Sequence, residues 1–209
     1  MQDKNTKQRI IEVATELFAQ NGFAGASTRE ICKRANTNIG MISYYFGSKE
    51  DLYKQILNNI AGKIIENVKV KVGASEAPDD FSKLTKEEKI QLLIKIIRSF
   101  IDYFYSDNIS TAELSLAVHE QITSNIDINP IGYKILKRLL ASIYERDEND
   151  KEIIFRSVML AGQMNSARIL SQFSLKQLNQ EKYTPEDIEL IKEIAIEQTL
   201  SILKNTELK

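Results

Sequence analysis

The chain contains few of the residues on which disulfide, metal and membrane chemistry depend. Cys32 is its single cysteine and His119 its single histidine among 209 residues. An internal disulfide needs two cysteines and a zinc site usually needs several Cys or His ligands, so we expect neither. Apolar runs stay well below the roughly 20 residues that span a bilayer, and the polar first residues differ from a secretory signal. The sequence therefore predicts a protein of the reducing cytoplasm with no membrane segment.

The sequence signatures of the common enzyme classes are absent as well. We find no phosphate-binding glycine loop, no nucleophile elbow and no zinc-binding helix. A di-iron helical bundle needs Glu-x-x-His pairs, whereas Leu116 stands three residues before His119. We therefore expect a protein that is not an enzyme and that needs no cofactor or metal ion.

The composition allows a sizeable core and shows a weak charge asymmetry. Hydrophobic residues make up 43% of the chain, and the net charge is -1. Residues 1–50 contain seven Lys and Arg against five Asp and Glu, a net charge of +2, so the remaining residues carry -3. This small basic excess predicts only modest non-specific attraction to phosphate. Affinity for a nucleic acid would depend on specific contacts and on dimerisation.

Apolar residues recur every three or four positions, and no segment alternates with period two for long. This pattern predicts an all-α protein of about nine helices. Residues 73–80 are the clearest loop, and beyond it Thr85 with Glu88, and Asn129 before Pro130, indicate helix starts. The predicted helices cover residues 4–20, 27–35, 39–46, 49–72, 85–105, 111–124, 130–144, 151–177 and 185–202.

Two short helices joined by a tight turn are predicted on either side of Asn36. Ser27 and Glu30 have the spacing of a capping box, in which the Ser27 hydroxyl accepts from the Glu30 amide and the carboxylate returns to the Ser27 amide. Asn36 tolerates a left-handed backbone and, with its polar neighbours, ends the first helix. Asn38 is a good N-cap for the second.

The second of these helices has an apolar inner side and a tyrosine-rich outer side. Ile42 and Phe46 are four residues apart and would face inward. This arrangement is typical of a helix-turn-helix, whose second helix enters the major groove of DNA. Gly40 would allow a close approach, tyrosine hydroxyls would donate to phosphates, and Lys49 would meet a phosphate at the start of the next helix. An ordinary helical hairpin with surface tyrosines is the alternative. The predicted DNA-contacting residues are Thr28, Arg29, Asn38, Ile39, Gly40, Met41, Ser43, Tyr44, Tyr45 and Lys49.

Four motifs in this part of the chain also resemble a known family. They are ATELF at 14–18, NGF at 21–23, TREI at 28–31 and YYFGSKEDL at 44–52. With Arg34 and Ala35, they make residues 7–57 similar to the N-terminal domain of the TetR family of bacterial transcriptional regulators. Ser43 stands where the family commonly has a tyrosine, and Asn36 where it usually has the glycine of the turn. These departures affect the expected operator sequence more than DNA binding itself.

The resemblance implies a helix-turn-helix DNA-binding domain, residues 1–50, followed by a helical domain, residues 51–209, that binds an effector and forms a dimer. It places the homodimer interface in the last two helices, where small residues would allow close approach. A dimer would also set two recognition helices about 34 Å apart on a palindromic site. The alternative is that these helices pack only within one protomer. The small residues are Ala161, Gly162, Ser166, Ala167 and Ala195.

A pocket between helices of the second domain is the expected effector site. Arg168 is its most suggestive residue, because a partly buried guanidinium among small residues needs a carboxylate partner. Glu113, Glu120 or an acidic effector could supply one. Phenylalanines such as Phe100 and Phe104 are more often core residues than ligand contacts, and a histidine is more often a helix-surface or hydrogen-bonded core residue than a ligand contact. The predicted ligand-binding residues are Phe100, Tyr103, Phe104, His119, Gln163, Met164, Asn165 and Arg168.

The sequence thus predicts a repressor that binds a palindromic DNA operator as a homodimer and is released by a small-molecule effector. In this mechanism the effector favours a state in which the fourth helices move the recognition helices out of register. Two alternatives remain: an activator, and a helical scaffold whose helix-turn-helix contacts a protein partner. Salt dependence distinguishes DNA from a protein partner, because phosphate contacts weaken steeply with added salt.

Overall fold

The computed structural model of the chain describes residues 2–72, 81–123 and 131–204, and every regular element in these ranges is an α-helix. The all-α prediction is therefore confirmed. The predicted loop at 73–80 and the predicted cap at Asn129 and Pro130 lie outside the described residues. None of the helices in the described part of the chain combines the length and apolar character needed to cross a membrane. The helices are α1 (Gln2–Gly25), α2 (Thr28–Arg34), α3 (Gly40–Phe46), α4 (Lys49–Val72), α5 (Lys86–Phe104), α6 (Thr111–Thr123), α7 (Ile131–Tyr144), α8 (Lys151–Ile169), α9 (Ser171–Leu178) and α10 (Pro185–Lys204).

Local signals in the sequence set most of the helix boundaries. Gly22 interrupts α1 with non-helical backbone angles (φ 69°, ψ 173°), which is where the sequence predicted the helix to stop. Thr85 and Glu88 form the predicted capping box of α5, with both reciprocal hydrogen bonds present. At α10, Thr184 accepts from the amide of Asp187 at 3.2 Å, and the Asp187 carboxylate accepts from the amide of Thr184 at 2.8 Å.

The single long helix predicted over residues 151–177 is wrong, because the chain forms two helices there. Leu170 separates α8 from α9 with backbone angles of φ -92° and ψ 23°. The Ser174 hydroxyl donates to the carbonyl oxygens of Leu170 and Ser171 at 3.2 and 3.3 Å. Such local side-chain bonds compete with the regular helix ladder. This break raises the helix count of the described residues to ten.

The described residues form two compact units, one from within 1–63 and 109–129, the other from within 64–108 and 130–209. The first unit therefore contains α6 in addition to the helices of the predicted DNA-binding domain. Tyr53 of α4 donates a hydrogen bond to the Glu120 carboxylate of α6. Lys63 and Glu113 form an ion pair of 2.7 Å between the same two helices. The boundary predicted between residues 50 and 51 stays a prediction.

The core of the first unit is built from the inner faces of its short helices. Phe18 packs edge-on against Tyr53, with ring centroids 4.9 Å apart, and Phe23 lies 5.1 Å from the same tyrosine ring. Burying each large apolar side chain contributes about 1.5–3 kcal/mol, so the buried side chains of this unit together hold α1 to α4 and α6 in one arrangement. The fully or almost fully buried residues include Ile10, Ala14, Leu17, Ile31, Ile42, Leu52, Ile56 and Leu116.

The second unit is organised around α5, whose apolar face packs against α7, α8 and α10. Lys192 of α10 is almost fully buried, and its ammonium pairs with Asp102 of α5 and with Glu189 at 2.6 Å. A buried charge requires such partners, so this cluster fixes α10 against α5. The apolar core residues include Leu93, Ile97, Ile101, Leu136, Leu139, Ile153, Leu160, Ala195 and Leu203.

Candidate DNA-binding surface and ligand-binding residues

The start of α2 and the turn that follows it have the predicted geometry, except for the position of the Glu30 carboxylate. The Ser27 hydroxyl accepts from the amide of Glu30 at 3.1 Å and caps α2. Asn36 adopts the expected left-handed backbone, with φ at 48°. The Glu30 carboxylate, however, accepts from Arg34 Nε at 2.7 Å instead of returning to the Ser27 amide. This hydrogen bond holds the pKa of Glu30 below its ordinary value.

The second helix of the motif starts at Gly40, one residue later than predicted. The N-cap position is Ile39 instead of the predicted Asn38. The Asn38 Oδ1 nevertheless accepts from the Gly40 amide at 3.0 Å. Ile42 and Phe46 are buried, as the spacing predicted. These two side chains therefore attach the helix to the first unit, while Gly40, Ser43 and Tyr44 are exposed.

Most of the predicted DNA-contacting side chains are accessible. Ile39 is 55% exposed and Tyr44 is 72% exposed, high values for residues of their apolar area. The Tyr44 and Tyr45 rings meet edge to face with centroids 5.0 Å apart, which supports the outer ring. An outward surface of this kind can accept a partner without any rearrangement of the core. Arg29, Asn38, Gly40 and Ser43 are exposed as well, whereas Thr28, Met41, Tyr45 and Lys49 are half-buried.

Lys49 has a structural role that the sequence did not indicate. Its ammonium donates to the carbonyl oxygens of Phe23 at 2.7 Å and Ala26 at 2.9 Å. It also lies 4.3 Å from the centre of the Phe23 ring, within the range of a cation–π interaction. Two of its three N–H donors thus tie the first turn of α4 to the end of α1 and to Ala26 beyond it. Contact with a DNA phosphate stays a prediction for the third donor.

Several predicted ligand-binding residues come together where α5 ends and α8 passes. The rings of Phe100 and Phe104 are stacked with centroids 5.9 Å apart, and Tyr103 meets Phe104 edge-on at 6.1 Å. All three are buried, as is Met164 of α8. Arg168 of α8 donates from Nε to the carbonyl oxygen of Phe104 at 3.2 Å. The structure thus joins an aromatic group to a cationic side chain.

Other predicted ligand residues lie elsewhere. Gln163 donates to the carbonyl oxygen of Ala195 at 3.1 Å and to Gln198 Oε1 at 2.7 Å, so it links α8 to α10. His119 is exposed on α6, in the first compact unit. The side chain of Asn165 lies outside the described residues.

The protein partners predicted for Arg168 have other roles. Glu113 is paired with Lys63, and Glu120 accepts from Tyr53. Arg168 takes a backbone carbonyl instead, because the end of α5 presents one at hydrogen-bonding distance. Neither of the two predicted protein carboxylates pairs with Arg168. Pairing with an acidic effector stays a prediction.

Sequence reasoning missed a polar cluster next to this aromatic group. The hydroxyls of Ser174 and Tyr183 are 2.5 Å apart, and the Tyr183 ring meets Tyr105 edge-on at 5.4 Å. The Tyr105 hydroxyl is buried without a hydrogen-bond partner, and burial raises the pKa of this phenol. Tyr105 directly follows the apolar stripe of α5, and this position was the only feature of the local sequence that could have indicated its burial.

A separate groove of about 450 Å³ lies at the opposite end of α5. It is bordered by the start of α5 and the ends of α7 and α10, and its walls combine apolar and charged side chains. The predicted ligand-binding residues do not line it. Its lining comprises Lys86, Glu87, Ile90, Gln91, Ile94, Ile143, Tyr144, Glu145, Leu200 and Leu203.

Two segments of the chain match known families of regulators. Residues 10–56 match the family model described as bacterial regulatory proteins, tetR family, and residues 90–205 match the C-terminal domain of the HTH-type transcriptional dual regulator CecR. The chain is 31% identical over 202 residues to CecR of Shigella flexneri, covering 90% of this chain and 86% of that relative. It is 43% identical over 54 residues to the HTH-type transcriptional regulator QacR of Staphylococcus aureus, covering 26% of this chain and 29% of the relative.

Solved structures share the fold at low sequence identity. A TetR-like transcriptional regulator from Rhodococcus sp. RHA1 superposes with a TM-score of 0.61 and 15% identity, covering 91% of this chain and 93% of that one. Likeness at this identity concerns the arrangement of helices only.

Proposed function

The chain belongs to the TetR family of bacterial transcriptional regulators, and from this membership we propose that it represses transcription as a homodimer on a palindromic operator and is released by a small-molecule effector. Its place of action is the cytoplasm. The observation that supports this proposal is the outward side of α3 together with Ile39 just before it: Ile39 and Tyr44 are exposed, while Ile42 and Phe46 anchor the helix. A helix held in this way can enter the major groove as a rigid element.

Selection of sites from random duplex DNA tests the DNA-binding proposal. Wild-type protein should enrich a palindromic sequence, and Tyr44→Ala should bind it at least ten times more weakly at the same salt concentration. Leu178→Ala, another exposed apolar residue far along the chain, is the matched control and should bind normally. A folded protein that enriches no sequence would contradict the proposal. An affinity that does not fall with added salt would favour the alternative of a scaffold with a protein partner.

The proposed dimer interface is the exposed apolar side of α8 and α10. Phe155, Val158 and Met159 of α8 are more than half exposed, as is Leu190 of α10. Val158 and Met159 follow Phe155 by three and four residues and share one side of α8 with it, and an exposed apolar helix face often marks an interaction site. Gly162 has open space where a Cβ would lie, which leaves room for a partner helix. A four-helix interface of two α8 and two α10 helices would bury these residues and relate two recognition helices by a two-fold axis.

Sedimentation analysis tests this interface. Met159→Glu, at a side chain that is 74% exposed, should give monomers, because two buried carboxylates would face each other across the axis. Val70→Glu changes an equally exposed apolar residue of α4 and should leave the dimer intact. A dimer that tolerates Met159→Glu and dissociates with Val70→Glu would place the interface elsewhere.

The effector proposal rests on the aromatic group and its guanidinium. Phe100, Phe104 and Met164 would surround an apolar part of the ligand, and Arg168 would pair with an acidic group. To release DNA almost completely, the effector must favour the low-affinity state by about 5.5 kcal/mol. Thermal-shift screening with carboxylic acids of increasing length should find ligands for wild type that fail to stabilise Arg168→Gln. Equal shifts for both proteins would exclude Arg168 from the site.

An activating role is the second candidate. CecR of Shigella flexneri, which aligns with most of this chain, is named a dual regulator. A promoter reporter distinguishes the two cases, because deletion of the protein raises the output of a repressed promoter and lowers that of an activated one.

A further inference from the structure

We propose that α3 reads its half-site through thymine methyl groups and not through guanine edges, with Ile39 as the principal specificity residue. This inference rests on the DNA-binding function proposed above and specifies the chemistry of the sequence that is bound. The exposed residues concerned are Ile39, Gly40, Ser43 and Tyr44, which are called the α3 surface below. Ile39 and Ser43, like Gly40 and Tyr44, are four residues apart and therefore share one side of the helix.

The α3 surface lacks the side chains that read guanine. Arg and Lys make the commonest specific contacts to guanine, and Asn and Gln make the corresponding contacts to adenine. The sequence of α3, GMISYYF, contains none of these four residue types. Ser43 and the tyrosine hydroxyls can donate or accept, so they discriminate weakly between bases. Hydrogen bonds from this helix would therefore distinguish weakly between the four base pairs.

The polar groups next to α3 are largely committed within the protein. Asn38 uses its Oδ1 to cap the Gly40 amide at 3.0 Å, so the oxygen needed for a two-point contact with adenine is engaged. Arg34 is paired with Glu30 at 2.7 Å. Arg29 is exposed but lies on α2, the helix that crosses the phosphate backbone in this motif. It would supply affinity without sequence information.

The apolar side chains of the α3 surface, in contrast, are largely exposed. Ile39 is 55% exposed, so the protein core does not account for a branched aliphatic residue at this position. Thymine is the base that presents a methyl group in the major groove, and apolar side chains recognise it by contact. Burying the Ile39 side chain against such methyl groups removes apolar area of both partners from water.

Gly40 adds an independent indication that the DNA approaches closely here. Its backbone does not have a positive φ, and a Cβ at this position would meet only Asn38 Oδ1, at an ordinary 3.7 Å. The fold itself therefore does not require glycine at position 40. The missing side chain instead leaves room beside Ile39, so that a base pair can come within contact distance of the helix backbone.

The test replaces thymine by deoxyuridine, which removes the methyl group and keeps the base-pairing and groove hydrogen bonds. The full-length protein is titrated with the operator obtained by selection and with versions that carry uracil at one half-site thymine at a time. Wild type should lose about three- to five-fold in affinity at each contacted thymine, the effect of one buried methyl group. Ile39→Ala should bind the thymine and uracil versions equally at the position it contacts.

Arg29→Gln is the matched control, since it should weaken binding to all versions uniformly and keep the thymine preference. A wild-type protein that binds the thymine and uracil operators equally, or a selected half-site without thymine, would overturn the inference and leave the DNA-binding function standing. Loss of affinity only when guanine is replaced by 7-deazaguanine would also overturn it in favour of guanine readout. A protein that enriches no DNA at all would overturn the proposed function itself.

Discussion

Tyr53 and Glu120, 67 positions apart in the sequence, share a buried hydrogen bond that joins α4 to α6 inside the first compact unit. Burial and the neighbouring carboxylate raise the pKa of the Tyr53 phenol above its ordinary value. The second oxygen of Glu120 is buried without a partner. The carboxylate therefore depends on this one tyrosine, which makes the pair a sensitive point between the DNA-binding helices and α6.

Tyr53→Phe should destabilise the protein by about 1–3 kcal/mol, because it leaves a buried carboxylate without its donor. Chemical denaturation measures the change. Tyr44→Phe, which removes a hydroxyl from an exposed ring, is the control and should have little effect. Replacing both partners in Tyr53→Phe/Glu120→Leu should recover part of the loss, since no unpaired polar group remains. If Tyr53→Phe were as stable as Tyr44→Phe, the Tyr53 hydrogen bond would contribute nothing to stability.

The ion pair between Glu113 and Lys63 should make stability depend on pH in the acid range. Burial raises the pKa of Glu113, but the hydrogen bonds from Lys63 and the Ser110 amide outweigh it and hold the value below the usual 4.5. A lowered folded-state pKa stabilises the protein above pH 4.5, and this contribution disappears as the pH falls through the folded-state value. Because Lys63 is half exposed, the effect should stay below about 1 kcal/mol.

Thermal unfolding of wild type and Glu113→Gln from pH 7 downwards measures this dependence. The difference between their midpoints should be largest at neutral pH and should shrink below pH 4.5. Glu197→Gln, a change on an exposed face of α10, is the control. A difference between wild type and Glu113→Gln that stays constant with pH would contradict the assignment.

Lys49→Met should lower both stability and DNA affinity, and salt titration separates the two causes. The variant keeps the aliphatic stem and loses two charge-assisted hydrogen bonds to carbonyl oxygens, at a cost of about 2–3 kcal/mol. If the third donor also contacts a phosphate, the negative slope of log affinity against log salt concentration should become shallower by about 1 in the variant. An unchanged slope would mean that Lys49 acts only within the protein. Lys33→Met, at an exposed lysine of α2, is the control for stability.

Gly40→Ala should fold normally and bind DNA poorly. Alanine is favoured over glycine in helices by up to about 1 kcal/mol, and the added Cβ meets no close neighbour. The same Cβ would stand between the helix and a base pair, so affinity should fall at least ten-fold. Gly62→Ala in α4 is a matched control, since a Cβ there also meets open space, and it should leave DNA binding unchanged. Normal affinity of Gly40→Ala would show that the DNA does not approach at this point.

The sequence predicted those features that depend on neighbours along the chain. The left-handed turn at Asn36, the break at Gly22 and the capping box at Thr85 follow from residue types that have strong local preferences. The burial of Ile42 and Phe46 follows from their spacing on one helix face. Each of these signals acts within four residues, which is the range over which a helix sequence carries structural information.

Two of the features that were missed depend on contacts between distant segments, and a third has no strong local signal. No glycine or proline marks the break at Leu170, beside which the Ser174 hydroxyl bonds to the carbonyl oxygens of Leu170 and Ser171. Lys49 looked like a free cation because Phe23 and Ala26, more than twenty residues earlier, receive its hydrogen bonds. Arg168 likewise finds its partner 64 positions away. Local patterns cannot indicate which distant carbonyl or carboxylate will come within reach.

The position of α6 in the first compact unit has a consequence for synthesis. The described residues between 64 and 108 belong to the second unit, so the first unit is assembled from two separate stretches of the chain. At about 5–20 residues per second, a ribosome needs several seconds to add the stretch that separates Lys63 from α6. Until then Tyr53 has no carboxylate to bind, and the face of α1 that α6 covers is open to water and to chaperones. The first unit therefore cannot complete its fold until the ribosome has synthesised α6, well after the DNA-binding helices.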